Sequence, residues 1–286
     1  MKTLKFLAIF SLISISYSCS EDDTPALESG TFQVFFDNKI GASEVTMRES
    51  GDATYDYETA NGERFNVSTL GYYVSKIQLS GPDGEFYEDE ILISASEARG
   101  YYHVLESETG SGNISLENVS AGKYNKITFT IGVEEDGVQE GAAGGVLDPA
   151  NGAWFWNWNA GYIGFAIEGN AENSGQEYVD WGNGFETQAG TFALHVGGWK
   201  DVQDNENFVN NVKTITLDFG TTISVSEELS PLAHIVVDAM KILDGAQIDF
   251  STTYAVHAPK LGRPFANELS DVFTVHHVHQ STQSHD

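Results

Sequence analysis

One cysteine, Cys19, stands in 286 residues. No disulfide is available within the folded region, so stability must come from burial and from any bound metal. Methionine occurs three times, counting Met1, which excludes a methionine-rich copper site. Lysine and arginine number 14 against 42 aspartates and glutamates, a formal net charge of −28. Phosphate contacts need clustered basic side chains, so nucleic acid is excluded as a partner. The acidic surface keeps the chain soluble and attracts cations. Also missing are a G-x-S-x-G nucleophile elbow, an H-E-x-x-H zinc motif and a P-loop. Carboxylates are too numerous to single out a glycosidase pair. Six prolines stand against 29 glycines, and 12% of residues are aromatic.

The amino terminus, MKTLKFLAIFSLISISYSC, carries Lys2 and Lys5 ahead of an apolar stretch. The stretch is shorter than the roughly 20 apolar residues that a membrane span needs. It reads as a Sec-type signal over residues 1–18, and Cys19 after small residues resembles a bacterial lipobox. Cleavage and acylation at Cys19 are the expectation, giving an outer-membrane lipoprotein that faces the periplasm or the cell surface. Residues 19–30 then form a flexible acidic tether, and residues 31–286 a single domain.

Strand signals recur through that domain. TFQVFFDN alternates about Phe32, Val34 and Phe36. LGYYVSKIQLSG sets Tyr72, Val74, Lys76 and Gln78 against Tyr73, Ser75, Ile77 and Leu79. Further short β-branched or aromatic runs, bounded by Gly, Asn or Asp, follow up to AQIDFSTTY. LSPLAHIVVDAMKIL reads as helical, with a stripe at Ile235, Val236, Ala239, Met240 and Leu243, and ANELSDVF as a second helical turn. The expected fold is all-β: an antiparallel β-sandwich, Ig-like or jelly-roll-like, with long loops and one or two short helices. The acidic loop EEDGVQEG is a calcium candidate that lacks the regular spacing of a calcium-binding loop.

Histidine is the remaining metal ligand. VHHVHQ places His277 and His279 on one face of a strand, roughly 7 Å apart, with His276 on the other face. His195 sits in TFALHVGG opposite Phe192, Leu194 and Val196. His103 in YYHVLE and His257 in YAVHAPK are further candidates, His234 reads as packing or surface, and His285 lies at the chain end. The other singular feature is GAWFWNWNAGY. Trp154, Trp156 and Trp158 hold alternate positions, and an extended backbone points all three indoles to one side. Core packing is the plain reason for such a run; an oxidisable site is the chemical one.

The order of these segments resembles the MbnP-like family of bacterial copper-binding proteins. The series runs from TFQVFFDNKIGA through LGYYVSKIQLSGPDGEF to GGVLDPANGAWFWNWNAGYIGFAIEG and GTFALHVGG. Its most specific part is Leu-Asp-Pro leading into Trp-x-Trp and Gly-Tyr, with Phe-x-x-His downstream. The closing DVFTVHHVHQ looks like the end of the surface-lipoprotein branch. The resemblance implies a secreted, non-enzymatic protein that binds copper as Cu(I) or Cu(II). It also implies a di-haem partner of the cytochrome c peroxidase or MauG type, which oxidises a tryptophan to kynurenine. Trp156 and Trp158 match the family's Trp-x-Trp, and Trp154 stands where many members carry methionine. Some copper-binding relatives show Trp-x-His instead. His195, His277 and His279 are expected to close one copper pocket beside an oxidised indole. The amino-terminal acyl anchor ties the protein to the lipid membrane, and a TonB-dependent receptor is a further expected partner. The alternative from a different class is a surface glycan- or peptide-binding lipoprotein that uses exposed tryptophans.

Overall fold

The alternation in SGTFQVFFDNKI becomes a twelve-residue strand, β1 (Ser29–Ile40). Phe32, Val34, Phe36 and Ile40 are buried along it, and Phe35, Asp37 and Lys39 face outward. The structure, a computed structural model, describes residues 28–139, 143–182, 184–200 and 209–280. The signal peptide, Cys19, most of the tether, His285 and part of the acidic loop lie outside the described residues.

The other strands that position the site are β2 (Thr69–Ser80), β3 (Tyr101–Leu105), β4 (Asn113–Ser120), β5 (Gly122–Ile131) and β6 (Phe155–Asn157). Then come β7 (Gly161–Asn170), β8 (Thr191–Gly197), β9 (Lys213–Val225) and β10 (Leu232–Asp238). Helix α1 (Met240–Gly245), β11 (Ala255–Val256), helix α2 (Pro259–Val272) and β12 (Phe273–His279) end the described chain. A five-stranded sheet has the order β4-β1-β10-β12, with Ser43–Glu44 paired to β1. A nine-stranded sheet has the path β9-β5-β2-β7-β8-β11, with β3 and Phe86–Glu88 alongside β2 and β6 alongside β7.

The inner faces of the two sheets pack together, as an all-β sandwich requires. Phe36 of the smaller sheet meets Phe129 and Tyr72 of the larger at ring centroids of 5.4 and 6.1 Å. Two pairings are parallel, β1 with β10 and β8 with β11, so neither large sheet is purely antiparallel.

Three local readings change. AQIDFSTTY, read among the strand runs, holds no strand: residues 246–254 are turn and loop between α1 and β11. LSPLAHIVVDAMKIL is a strand followed by a short helix. Ala233, Ile235 and Val237 are buried at alternate positions in β10, and only Met240–Gly245 coils. The β-branched run Ile235–Val237 suits a strand bonded on both sides; five residues matching a helical stripe arose from the strand-to-helix junction. In β2 the alternation also changes phase. Lys76 has φ +49°, and the pairing with β5 slips between Thr128 and Thr130. This bulge turns Tyr72, Val74, Ile77 and Leu79 all toward the core.

Candidate metal centre

The segment after Leu147 shows why its motif is built as it is. Leu147 is fully buried, and its carbonyl accepts from the Tyr162 hydroxyl at 2.8 Å. Asp148 caps the 3₁₀ turn Pro149–Asn151, accepting from the Ala150 N–H at 2.8 Å and from Asn151 Nδ2 at 3.1 Å. Proline at the first position of the turn lacks only an N–H that would go unpaired. Gly152 leaves the turn at φ +91°. The Trp154 N–H then donates to the Tyr73 hydroxyl at 3.1 Å, and that hydroxyl donates to the Val146 carbonyl at 3.2 Å. Burial pushes Tyr73 well above the usual phenol range, and Tyr162 up to about 12. Both phenols therefore stay neutral donors. The tryptophan segment is thus strapped over the outer face of the nine-stranded sheet, where a second apolar cluster forms around Tyr73, Tyr101, Leu147 and Tyr162.

The three indoles do not share a face. β6 spans only Phe155–Asn157, and its ladder to β7 slips between those residues. Trp154 packs against the apolar cluster, Trp156 is half-buried, and Trp158 turns back onto Phe155 with ring centroids 4.8 Å apart. Alternation holds only while a strand stays regular, and the slip ends it.

Under Trp154 the sheet has been cleared. Leu105, Gly71, Ala166 and His195 form a row across four neighbouring strands. A Cβ at Gly71 would lie 2.9 Å from Trp154 Cη2 and 2.7 Å from the Val104 carbonyl oxygen. Gly71 and Ala166 therefore make a small-residue floor, and His195 stands about 10 Å along it, two strand spacings from Gly71.

His195 is held from two sides. Its Nε2 lies 2.6 Å from Glu168 Oε1, and the other Glu168 oxygen accepts from Thr69 Oγ1 at 3.1 Å. Burial alone would raise the Glu168 carboxyl, but the hydrogen bond and charge from His195 hold it below its ordinary value. As the carboxylate can only accept, the neutral tautomer that fits this pair has its proton on Nε2 and its lone pair on Nδ1. His257 follows β11, which runs parallel to β8, and its Nδ1 lies 3.0 Å from His195 Nδ1. Burial first, then the neighbouring His195, lowers the His257 pKa, keeping this imidazole neutral and able to ligate. The two rings line a cleft of about 750 Å³, whose rim carries Trp181 and Phe185, 65% and 72% exposed.

The expected joining of His195 with His277 and His279 does not occur. His277 pairs with His234 and His279 with Leu232, so both project from the outer face of the five-stranded sheet. His195 projects from the outer face of the nine-stranded sheet, and the aromatic core lies between. His276 is not set apart from its neighbours either. It is the extra residue where the β10–β12 register slips, and it gathers with His277 and His234. Sequence spacing hid His234, because its segment read as helix; only the sheet register brings it to the C-terminal histidines.

His103 is separate again. Its ring stacks on Tyr73 at 4.2 Å and meets Trp154 edge-on at 4.6 Å. Three strand spacings, about 14 Å, divide it from His195, too far for a shared ion. Burial holds its pKa down at about 4, so it is a neutral packed ring. In the acidic loop, Glu134 and Asp136 pair with Lys76 Nζ at 2.7 and 2.9 Å.

The MbnP family model matches residues 29–259. That range includes His195, His257 and Trp154–Trp158, and it ends before the C-terminal histidines. Among solved structures, one similar chain is MbnP from Methylosinus trichosporium, at 13% identity and a TM-score of 0.44, covering 76% of this chain and 78% of that one. A search of curated proteins gave no match.

Proposed function

The chain belongs to the MbnP family, and from that premise we propose that it is an extracytoplasmic copper-binding protein whose ion sits between His195 and His257, beside the tryptophan strap. The observation that carries the reading is the 3.0 Å approach of the two Nδ1 atoms, with the far side of His195 fixed by Glu168. Movement of the His257 proton to Nε2 leaves two converging lone pairs, a donor set that suits copper. Glu168 acts as the outer partner that fixes tautomer and ring orientation. Two imidazoles leave the ion open to one more ligand. The aromatic amine left by opening an indole of the strap is the proposed third; Trp154 stands over Gly71, about 10 Å along the floor from His195, so the strap has to slide toward β8 to supply it. Trp156, in the family's Trp-x-Trp position, is the other candidate.

In this reading Cys19 carries the acyl anchor, and the protein stores or hands on copper at the outer membrane without catalysing a reaction. A di-haem peroxidase- or MauG-like enzyme is the proposed oxidant of the strap, and a TonB-dependent receptor a proposed neighbour.

Titration with Cu(I) and Cu(II) tests the seat. With the C-terminal cluster removed by His276→Ala/His277→Ala, adding His195→Ala/His257→Ala is expected to weaken copper binding at least 100-fold, and adding Glu168→Gln about 10–100-fold. Unchanged affinity on adding His195→Ala/His257→Ala sinks the assignment. Affinity is expected to fall as pH drops below about 6.5, where protons compete for imidazole. The lowered His257 pKa delays that loss. Protein made with its di-haem partner should also yield a peptide over Trp154–Trp158 whose mass records one carbon lost and one oxygen gained.

Trp181 and Phe185 at the cleft rim favour one second reading, stacking on a glycan or peptide. Sugar-induced quenching of tryptophan emission that Trp181→Ala abolishes, without added metal, supports it.

A further inference from the structure

We propose that the outer face of the five-stranded sheet carries a second, independent metal site, built from His234, His276 and His277 with His279 at its margin, for a borderline divalent ion such as Zn(II) or Cu(II). One ring nitrogen from each of the first three lies within 4.8 Å of the others. No other group of three histidine, cysteine or carboxylate ligands this close occurs among the described residues. Ring centroids are 4.8 Å for His234–His277, 5.0 Å for His234–His276 and 4.7 Å for His276–His277. Two nitrogens bound tetrahedrally to zinc stand about 3.4 Å apart, from Zn–N bonds of about 2.05 Å. The His276–His277 Nδ1 separation of 2.6 Å and the 4.8 Å limit bracket that value, so small ring rotations close the site.

The backbone explains why three rings meet. His234↔His277 is a cross-strand pair, and the next pair is Ile235↔Val275. His276 is therefore left over as a bulge, and a bulge re-aims its side chain. Without it, strict alternation would send His276 toward the core. His279 then adds its ring 4.3 Å from His277.

The site is also supported from behind. His234 Nε2 lies 2.9 Å from Asp37 Oδ2, which also receives Lys39 Nζ at 3.1 Å. A carboxylate on one imidazole nitrogen leaves the other for the metal, as in carboxylate–histidine–metal relays. Phe35 flanks the His234 ring at 5.1 Å. Nor is the strand a loose tail. The Gln280 amide pairs with Ser224, accepting from its N–H at 2.7 Å and donating to its carbonyl at 2.6 Å. β12 is the edge strand of its sheet, and an ion bridging β10 and β12 fastens that edge.

The test is titration of the full-length protein with buffered ZnCl₂, with thermal unfolding as a second readout. The wild type is expected to bind one zinc per chain and to melt at a higher temperature with zinc than without. His234→Gln and the His276→Ala/His277→Ala variant should each weaken zinc binding at least 100-fold while melting like the wild type without metal. Asp37→Asn should cost about 10–100-fold. His195→Ala/His257→Ala should leave zinc binding unchanged, which separates this site from the copper seat. Wild-type zinc affinity in His234→Gln overturns the proposal, reducing the cluster to an adventitious pair on an exposed strand. So does equal loss in His195→Ala/His257→Ala, or no binding by the wild type at about 100 µM zinc, far above the range of protein zinc sites.

Discussion

Phe36→Ala is expected to lower the unfolding free energy by about 3–5 kcal/mol, which for a domain of this size is roughly 10 °C in melting temperature. Phe36 is 2% exposed and touches rings from both sheets: Tyr72 and Phe129 on the larger, and Phe273 at 6.3 Å on the smaller. Truncation deletes a whole ring from a close-packed layer whose neighbours are themselves rigid aromatics. The void stays largely open, and the cavity cost adds to the lost transfer energy. Phe273 opens the strand that carries His276 and His277, and Tyr72 adjoins Gly71 and Tyr73 beneath the tryptophan strap. The same ring therefore braces the supports of both histidine clusters from within. Denaturant unfolding at neutral pH checks the figure, and a loss under about 1 kcal/mol would mean that the two sheets close over the gap. Copper and zinc affinities measured well below the melting transition should stay near wild type, because the outward-facing ligands do not touch the void.

The all-β sandwich was legible because strict alternation survives in β1 and β8, where one face is buried and the other is wet. Phe32, Val34 and Phe36, and Phe192, Leu194 and Val196, occupy the faces that the sequence implies. The reading failed where the backbone departs from a regular strand. The bulge at Lys76 exchanges faces within β2, the slip in β6 scatters three indoles that spacing alone would align, and the bulge at His276 joins a residue to a cluster that alternation forbids. A bulge is a property of two strands together, so one strand's spacing does not disclose it.

His195, His257 and His277 were found as candidate ligands, but their grouping was not, and His234 was read as packing or surface. His195 and His257 meet through a parallel pairing of β8 with β11, and His234 meets His277 through β10 and β12. Each contact joins residues more than 40 positions apart (62 between His195 and His257). No local signal marks such a partner. The Leu147–Gly152 motif lies at the opposite extreme. Leucine as plug, aspartate as cap, proline inside the turn and a left-handed glycine each have a local cause that the structure makes plain.

His103→Phe is expected to remove a defined part of the protein's acid sensitivity. The wild-type imidazole is packed between Tyr73 and Trp154, and its Nε2 is buried with no hydrogen-bond partner among the described residues. Burial lowers its pKa from 6.5 to about 4. At pH 7.5 and above the ring is almost wholly neutral in both folded and unfolded chains and adds almost no pH dependence. Between pH 6.5 and 4 the unfolded chain takes up a proton that the folded one refuses, so stability falls as pH falls through that window. The loss between pH 7.5 and 5 is about 2 kcal/mol, drawn toward about 1 kcal/mol by solvent at the ring's open edge. Phenylalanine keeps the stack on Tyr73 and the edge contact with Trp154 and cannot titrate. At pH 7.5 the variant should match or exceed the wild type, because an unpaired buried nitrogen has gone. Denaturant unfolding of both proteins at pH 7.5 and 5.0 isolates the effect, since the many carboxylates titrate alike in each. Equal losses in the two proteins would show that the imidazole accepts its proton inside the fold. The ring would then be a hydrated one at the edge of the strap, with the pH response of the tryptophan segment set elsewhere.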